Sequence, residues 1–335
     1  GYSLYVGIPF CPTTCLYCSF TSFPIKSWEK RMEEYLSALF KEMDYAARTM
    51  AGRTLDTVYF GGGTPTSLSA EHLEMVMRKL KATFDFSSVK EFTVEAGRPD
   101  SITEEKLKVL LDYGVTRISI NPQTMSDSVL RAIGRRHTAA QTVEAFRLAQ
   151  EAGFDDINMD LIAGLPGDTP ESFAASVDQV LALRPSNVTV HTLALKKGAD
   201  LFQKRVTLPT RADVAEMLSA SERQLREAAF EPYYLYRQKY MSGSFENVGW
   251  CRAGYTGYYN IYMMEELHSI LSLGGGGMNK INLPAGALER FHNPKYPQDY
   301  IQRIDDILRQ KDEIFRLLEQ TRAWLWAAFS PSSHC

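Results

Sequence analysis

Short apolar runs alternate with amphipathic segments along the first two hundred residues. The runs are rich in β-branched and aromatic residues, which is typical of strands. They begin near Ser3, Asp56, Glu91, Arg117, Asp156 and Asn187. Between them, apolar residues recur with a helical period over 28–50, 69–84, 103–113, 126–133, 138–152 and a last segment that ends near 183. Thr103 is a candidate N-cap. Six successive strand-then-helix units predict a parallel sheet with helices outside it.

Polar residues and glycines stand where these predicted strands end. They include the stretches CPTTC and GGGTP, and the residues Glu95, Gln123, Asp160 and His191. The carboxyl ends of parallel strands meet at one edge of the sheet, which is where parallel barrels carry their chemistry. The sequence therefore predicts an α/β fold, a partial (β/α)6 TIM-like barrel, with a functional site at that edge.

The pattern changes after this alternation, and we expect the barrel to occupy residues 1–205. A smaller α+β region is predicted over 206–320, followed by a tail over 321–335. This region combines a helix over 211–228, an aromatic and glycine-rich stretch, and a charged helix over 297–318. We expect it to cover one side of the barrel.

Composition narrows the class of protein. The chain has 335 residues, of which 44% are hydrophobic and 23% are charged, as in ordinary soluble domains. A formal net charge of −3 gives no basic field that would favour nucleic acid or a membrane surface. Neither a run of about 18 apolar residues nor a signal-peptide pattern is present, so we expect no membrane span and a cytoplasmic location.

Three of the five cysteines lie in the stretch CPTTCLYC, as Cys11, Cys15 and Cys18. Such clustering favours a metal site over disulfides in a reducing compartment. A zinc site completed by Cys251 or by a histidine is one possibility. The other is a 4Fe-4S cluster, in which three thiolates would leave one iron open to a non-protein ligand.

Several motifs in order resemble one family. CPTTCLYC resembles the cluster loop of the radical S-adenosylmethionine (SAM) superfamily. More narrowly, YVGIPFC, YFGGGTPT, INPQT, GRRHT and MDLIAGLPGDT are similar to the oxygen-independent coproporphyrinogen III dehydrogenase family, with its HemN, HemW and HemZ branches. The aromatic C-terminal stretch is most similar to HemZ. The resemblance implies that Cys11, Cys15 and Cys18 hold a 4Fe-4S cluster whose open iron binds SAM, and that reduction cleaves SAM to methionine and a 5′-deoxyadenosyl radical.

The resemblance also implies a set of SAM-binding residues. They are Tyr5, Tyr17, Gly62, Gly63, Thr64, Glu95, Gln123, Arg135, Asp160 and Ala194. Asp160 lies in an apolar strand, where a carboxylate needs a polar partner such as a ribose. Other interpretations stay open: a surface salt bridge for Glu95, a solvated charge for Arg135 beside Arg136, and a core position for Tyr5. HemN-type proteins hold a second SAM, so we expect one SAM molecule or two.

Three positions depart from the family pattern. Gly7 stands where a histidine often precedes the residues I-P-F, and Phe20 stands where HemN-type chains have a further cysteine. In FENVGW, Glu246 occupies the place of the histidine in the HemW motif. Carboxylates are poor substitutes for imidazole on haem iron, which weakens a haem-chaperone interpretation.

The implied activity is that of an oxidoreductase of haem biosynthesis. It would decarboxylate two propionates of coproporphyrinogen III oxidatively to vinyl groups, giving protoporphyrinogen IX. The partners would be this tetrapyrrole and a reductant such as flavodoxin or ferredoxin. Arg237, Lys239 and Arg252 are candidate propionate ligands. The alternatives are a haem-binding chaperone and a radical SAM enzyme that methylates or opens a porphyrin.

Overall fold

The computed structural model describes residues 1–18, 22–194, 199, 201, 206–237 and 245–329. In chain order the strands are β1 (Tyr2–Ile8), β2 (Phe10–Cys11), β3 (Phe23–Pro24), β4 (Leu55–Gly62), β5 (Glu91–Gly97), β6 (Arg117–Ile120), β7 (Ile157–Ala163), β8 (Asn187–Thr192), β9 (Glu231–Tyr236), β10 (Asn247–Cys251), β11 (Ile270–Leu273), β12 (Met278–Asn282) and β13 (Leu288–His292). The pair β2–β3 forms a small parallel sheet, and the other strands form one large sheet.

The large sheet has the strand order β13-β12-β11-β1-β4-β5-β6-β7-β8-β10-β9. Six neighbouring strands of this sheet are parallel, namely β1, β4, β5, β6, β7 and β8, which confirms the predicted α/β architecture. Strands from the C-terminal part extend both edges: β11 pairs in parallel with β1, and β10 pairs antiparallel with β8. The C-terminal part thus adds strands at both edges of the parallel sheet, and its covering of one side of the barrel stays a prediction.

The helices are α1 (Met32–Thr49), α2 (Ala70–Thr83), α3 (Glu104–Asp112), α4 (Asp127–Ala132), α5 (Ala139–Ala152), α6 (Pro170–Ala182), α7 (Arg211–Glu227), α8 (Tyr258–Met264), α9 (Pro297–Gln302) and α10 (Ile304–Phe329). Thr103 caps α3 by accepting a hydrogen bond from the Lys106 backbone N–H, as predicted. The single helix expected from residue 297 is two, because the backbone leaves helical geometry at Arg303. Among the described residues, none of the helices has both the length and the apolar character needed to cross a bilayer.

Strand alternation separates the core from the site. On β7, Ile157, Met159 and Leu161 are buried in the hydrophobic core, whereas Asn158 and Asp160 line a cavity inside the barrel. Successive side chains of a strand point to opposite faces, so the helices cover the apolar face and the polar face is turned inward. The site is therefore built from the inner face of the sheet.

A buried ion pair joins the two ends of the chain. Lys311 of α10 and Glu42 of α1 are almost fully buried, with Nζ 3.2 Å from Oε1. Glu42 also accepts hydrogen bonds from the Tyr300 hydroxyl and the Gly274 backbone N–H. These contacts hold the turn after β11 against β1, where a Cβ on Gly274 would lie 2.2 Å from the Gly7 carbonyl oxygen. Position 274 has φ +87° and therefore requires glycine on two grounds.

Candidate functional site

A cavity of about 510 Å³ opens at the carboxyl ends of the parallel strands. Every residue that the sequence analysis assigns to the cluster or to SAM lines it: Tyr5, Cys11, Cys15, Tyr17, Cys18, Gly62, Gly63, Thr64, Glu95, Gln123, Arg135, Asp160 and Ala194. His191, which closes the sixth parallel strand, lines it too. The structure thus brings the predicted residues together, and their individual roles stay predictions.

The cysteine loop follows β1, and hydroxyl groups lie near two of its thiols. Cys11 Sγ lies 3.4 Å from the Thr64 hydroxyl, and Cys18 Sγ lies 4.0 Å from the Ser22 hydroxyl. Burial raises the pKa of the Cys11 thiol to about 11. The loop is held from outside by the Leu16 N–H, which donates to the Ile133 carbonyl over 3.1 Å. All three thiols face one cavity, as a shared cluster would require.

The position of Cys251 excludes a zinc site in which this cysteine would be the fourth ligand. Cys251 pairs with Asn187, the first residue of β8, and so lies at the amino end of the parallel strands. The cysteine loop lies at their carboxyl end, so Cys251 cannot complete a site with Cys11 and its neighbours. Among the described residues, no group of three His, Cys, Asp or Glu side chains is arranged to hold a single metal ion.

The glycine turn after β4 touches the cysteine-bearing segment. The Gly63 N–H donates to the Ile8 carbonyl over 2.8 Å, and the Thr64 N–H donates to the Phe10 carbonyl over 2.7 Å. A Cβ on Gly63 would lie 2.4 Å from the Phe10 carbonyl oxygen. The glycine therefore permits close approach between two parts of the chain, while its backbone also lines the cavity. This contact fixes the entry to the cysteine loop.

Arg135 is buried and bridges two elements of the site. Its guanidinium donates to the Asn121 carbonyl over 2.7 Å and to the Tyr17 hydroxyl over 3.0 Å. Arg136, in contrast, is exposed. The interpretation of Arg135 as a solvated charge is therefore wrong. Its Nε has no hydrogen-bond partner in the part of the chain that the structure describes, so one donor is left for a ligand.

Gln123 adds an unpaired acceptor in a strained position. Its φ of +70° is uncommon for a residue with a side chain. The backbone is held there because the Gln123 N–H donates to the Asp160 carbonyl over 2.9 Å. The buried Oε1 has no partner among the described residues. Backbone strain and an orphaned polar atom together are typical of a ligand-binding position.

Glu95 lines the cavity inside the barrel and makes no salt bridge within the part of the chain that the structure describes, so the surface salt-bridge alternative is wrong. Its carboxylate accepts a hydrogen bond of 2.6 Å from Tyr59, and burial raises its pKa to about 7. Tyr59 stacks on Tyr259, with ring centres 4.3 Å apart, and Tyr5 stacks beside both. Tyr5 is therefore at once a cavity residue and part of a buried aromatic stack. Near neutral pH, the Glu95 carboxyl can either donate or accept a proton.

Asp160 belongs to a polar chain across the cavity wall. Asn158 donates to its Oδ1 over 2.7 Å, and His191 Nε2 lies 3.5 Å from its Oδ2. Burial opposes ionisation of Asp160, but these hydrogen bonds hold its pKa below the usual value. The other ring nitrogen of His191 lies 3.3 Å from the Tyr236 hydroxyl. Asp160 is thus a fixed carboxylate, suited to accept hydrogen bonds from hydroxyl groups.

With the geometry established, comparison with known proteins assigns the family. The model of the radical SAM superfamily matches residues 5–180, which is more than half of the chain. The chain belongs to the radical SAM superfamily. Membership implies a 4Fe-4S cluster and SAM as cofactors. The residues present fit these groups: three thiols face one cavity together with the unpaired Gln123 Oε1 and Arg135 Nε.

The relatives of this radical SAM protein confirm the resemblance to the HemN, HemW and HemZ branches. The oxygen-independent coproporphyrinogen-III oxidase-like protein HemZ of Bacillus subtilis is 40% identical over 324 residues, 95% of this chain and 64% of that protein. Heme chaperone HemW of B. subtilis is 40% identical over 223 residues, 64% of this chain and 57% of that protein. The chain thus spans less than two thirds of the length of both relatives.

A solved structure extends the similarity to the fold. Coproporphyrinogen III oxidase HemN of Escherichia coli superposes with a TM-score of 0.74 at 25% identity, over 91% of this chain and 69% of that chain. The family, the mixed α/β fold and the HemN-like architecture are therefore established for this radical SAM protein.

The C-terminal aromatic stretch contributes to the cavity only in part. Tyr234, Tyr236 and Tyr259 line it, together with Met263 and Met264. Nothing in the local sequence distinguishes these residues from neighbours that point elsewhere, because the distinction depends on how β9 and α8 pack against the barrel.

The candidate propionate ligands fall in different places. Arg252 lies beside β8 at the amino end of the strands, with its backbone N–H on the Ser186 carbonyl, so its proposed contact in this cavity is wrong. Arg237 lies next to the cavity residue Tyr236 and pairs with Glu246 over 3.0 Å. Lys239 lies outside the described residues.

Sequence reasoning also missed Arg98, although its place directly after β5 is a usable signal.

Proposed function

We propose that this radical SAM protein acts on the propionate side chains of a tetrapyrrole and converts coproporphyrinogen III to protoporphyrinogen IX. The observation that carries the proposal is a single cavity that joins the predicted cluster and SAM residues to an aromatic and methionine wall. Tyr234, Tyr236 and Tyr259 offer flat rings, and Met263 and Met264 offer adaptable apolar surface. Such a wall suits a large planar ligand. The names of the HemZ and HemN relatives support the same class of substrate.

Different residues of the chain would hold the cluster and bind SAM. Cys11, Cys15 and Cys18 would hold the cluster, and Arg135 and Gln123 would offer their unpaired polar atoms to SAM. The bound cluster and SAM would supply a 5′-deoxyadenosyl radical that abstracts hydrogen atoms. Each propionate would lose one hydrogen atom to the 5′-deoxyadenosyl radical, then CO2, and one electron to an acceptor such as oxidised flavodoxin or ferredoxin, and would so become a vinyl group. The reductant, such as flavodoxin or ferredoxin, and the number of SAM molecules also belong to this proposal.

Glu95 gives the site a group that changes charge near neutral pH. In its ionised form it would accept hydrogen bonds from an ammonium or a ribose hydroxyl of SAM, and the Tyr59 hydroxyl would hold it in place. Asp160 would present a second carboxylate oriented by His191 and Asn158. The protein would therefore bind and orient SAM chiefly through groups fixed before the ligand arrives, which lowers the entropic cost of binding.

A haem-binding chaperone is the second candidate, because the B. subtilis relative HemW carries that name. One observation counts against it. Glu246, at the position of the HemW histidine, is paired with Arg237 and offers no imidazole to haem iron. A radical SAM methylation or ring opening of a porphyrin would use the same cavity and differs only in its products.

The test is anaerobic incubation of the reconstituted protein with SAM, a reductant and coproporphyrinogen III. We expect 5′-deoxyadenosine, CO2 and vinyl-bearing porphyrinogen to form together, and none of them with the Cys15→Ala variant. Formation of 5′-deoxyadenosine without a vinyl product would rule out this reaction. Tight haem binding that survives Cys15→Ala, with no turnover by the unaltered protein, would instead establish the chaperone.

A further inference from the structure

Arg98 brings a buried cation against the cysteine loop. It follows β5, lines the cavity and has a side chain that is only 3% exposed. Its Nη1 donates to the Thr13 hydroxyl over 2.6 Å and to the Thr13 carbonyl over 3.1 Å. The same nitrogen lies 3.9 Å from Cys15 Sγ, within hydrogen-bonding distance for sulfur. The guanidinium therefore contacts the loop at a cysteine and at the residue two positions before it.

Asp100 fixes the orientation of this guanidinium. Nε and Nη2 of Arg98 donate to the two carboxylate oxygens of Asp100, over 2.9 and 2.7 Å. A fork-to-fork pair of this kind leaves little freedom for the planar group. Nη1 takes no part in this ion pair, and it faces Thr13 and Cys15. The geometry is thus preset by residues outside the loop.

Cys11 and Cys18 meet groups of a different kind. Cys11 lies near the hydroxyl of Thr64, and Cys18 lies near the hydroxyl of Ser22. Cys15, in contrast, lies near the positively charged guanidinium of Arg98, which is shielded from water. Charges act over longer range and with less screening in such a place than at the surface. Arg98 is therefore well placed to affect the electron affinity of a cluster held by Cys15.

We propose that Arg98 is a positioning residue that raises the reduction potential of the 4Fe-4S cluster, and that Asp100 limits the rise. The proposal rests on the cluster-binding role given above to Cys11, Cys15 and Cys18. Reduction adds one negative charge to the cluster, so a nearby cation and an N–H donor at sulfur stabilise the reduced form more than the oxidised form. The Asp100 carboxylate, behind the guanidinium, partly cancels this effect.

The experiment is a potentiometric titration of the reconstituted protein without substrate, followed by the EPR signal of the reduced cluster. Iron and sulfide content are measured on the same samples. We expect Arg98→Gln to lower the midpoint potential of the cluster by at least about 59 mV, which for one electron is a tenfold change. At the midpoint potential of the unaltered protein, the ratio of reduced to oxidised cluster in Arg98→Gln would then be at least tenfold lower. Asp100→Asn should shift the potential in the opposite direction. Arg147→Gln, on the exposed face of α5, is the matched control and should change nothing.

Opposite shifts in the two variants distinguish tuning from simple support of the loop. If Arg98→Gln and Asp100→Asn keep their iron and titrate like the unaltered protein, the proposal is overturned. If both lose iron and the remaining cluster titrates unchanged, Arg98 only supports the loop, and the proposal is again overturned. Should Arg98→Gln fail to assemble a cluster, the sign of the Asp100→Asn shift decides. An unaltered protein with no 4Fe-4S signal would refute the proposed function itself.

Discussion

The Arg135 guanidinium donates a hydrogen bond to the hydroxyl of Tyr17, the residue directly before Cys18. Tyr17→Phe removes the acceptor of this buried charged donor, which costs about 1–3 kcal/mol. We expect the free energy of unfolding to fall by that amount, measured by urea denaturation of the apoprotein. Tyr258→Phe is the control, because the Tyr258 side chain is exposed, and it should change little. Equal stability of Tyr17→Phe and the unaltered protein would show that this hydrogen bond is not stabilising.

Glu95 makes stability depend on pH in an unusual direction. Its pKa is raised by burial from 4.5 to about 7, so the folded protein binds a proton that the unfolded chain has lost between these values. Stability must fall as pH rises from 4.5 to 7, and the full cost of about 3 kcal/mol remains above pH 7. Glu95→Gln keeps an acceptor for Tyr59 and removes this cost.

We therefore expect Glu95→Gln to be more stable than the unaltered protein at pH 8 and similar to it at pH 5, as measured by urea denaturation at both values. Glu144→Gln, at an exposed position of α5, is the control. A difference between Glu95→Gln and the unaltered protein that is the same at both pH values would contradict the shifted pKa.

Glycine is required at position 63 because the neighbouring backbone leaves no space for a side chain. An alanine Cβ would clash with the backbone of Phe10, which cannot move without shifting the cysteine loop. We expect Gly63→Ala to cost about 1–3 kcal/mol and to lower the iron content after reconstitution. Gly167→Ala is a matched control, because that position has φ +76° and nothing within 4 Å. It should lose about 1–2 kcal/mol from backbone strain and keep its iron. Full iron incorporation in Gly63→Ala would contradict this view of the turn.

The buried pair of Glu42 and Lys311 predicts a strong coupling. Lys311→Met leaves the Glu42 carboxylate without its cation and should cost about 3–5 kcal/mol. The double variant Glu42→Gln, Lys311→Met removes both charges and should be less destabilised than the sum of the single changes. The coupling energy follows from urea denaturation of the four proteins in a double-mutant cycle. Additive effects would mean that the two charges do not interact.

The parallel core and the position of the site could be predicted because their signals are local. The strand-then-helix alternation repeats six times, and convergence of the strand ends follows from the parallel arrangement. The choice between Arg135 and Arg136 could not be made this way. It depends on the direction of the chain after Gly134, where φ is +76°. Arg252 failed for a related reason: its distance from the cavity is set by the antiparallel pairing of β10 with β8.

The pairing of β1 with β11 has a consequence for how the chain folds. Ser3 lies beside Ile270, so the strand that leads into the cysteines gains one of its two neighbours only after most of the chain has been made. Contacts between such distant segments carry a large loop-closure cost and form late. During synthesis the first strand must therefore wait with one edge unpaired. The strand that leads into the functional site therefore completes its pairing late in folding.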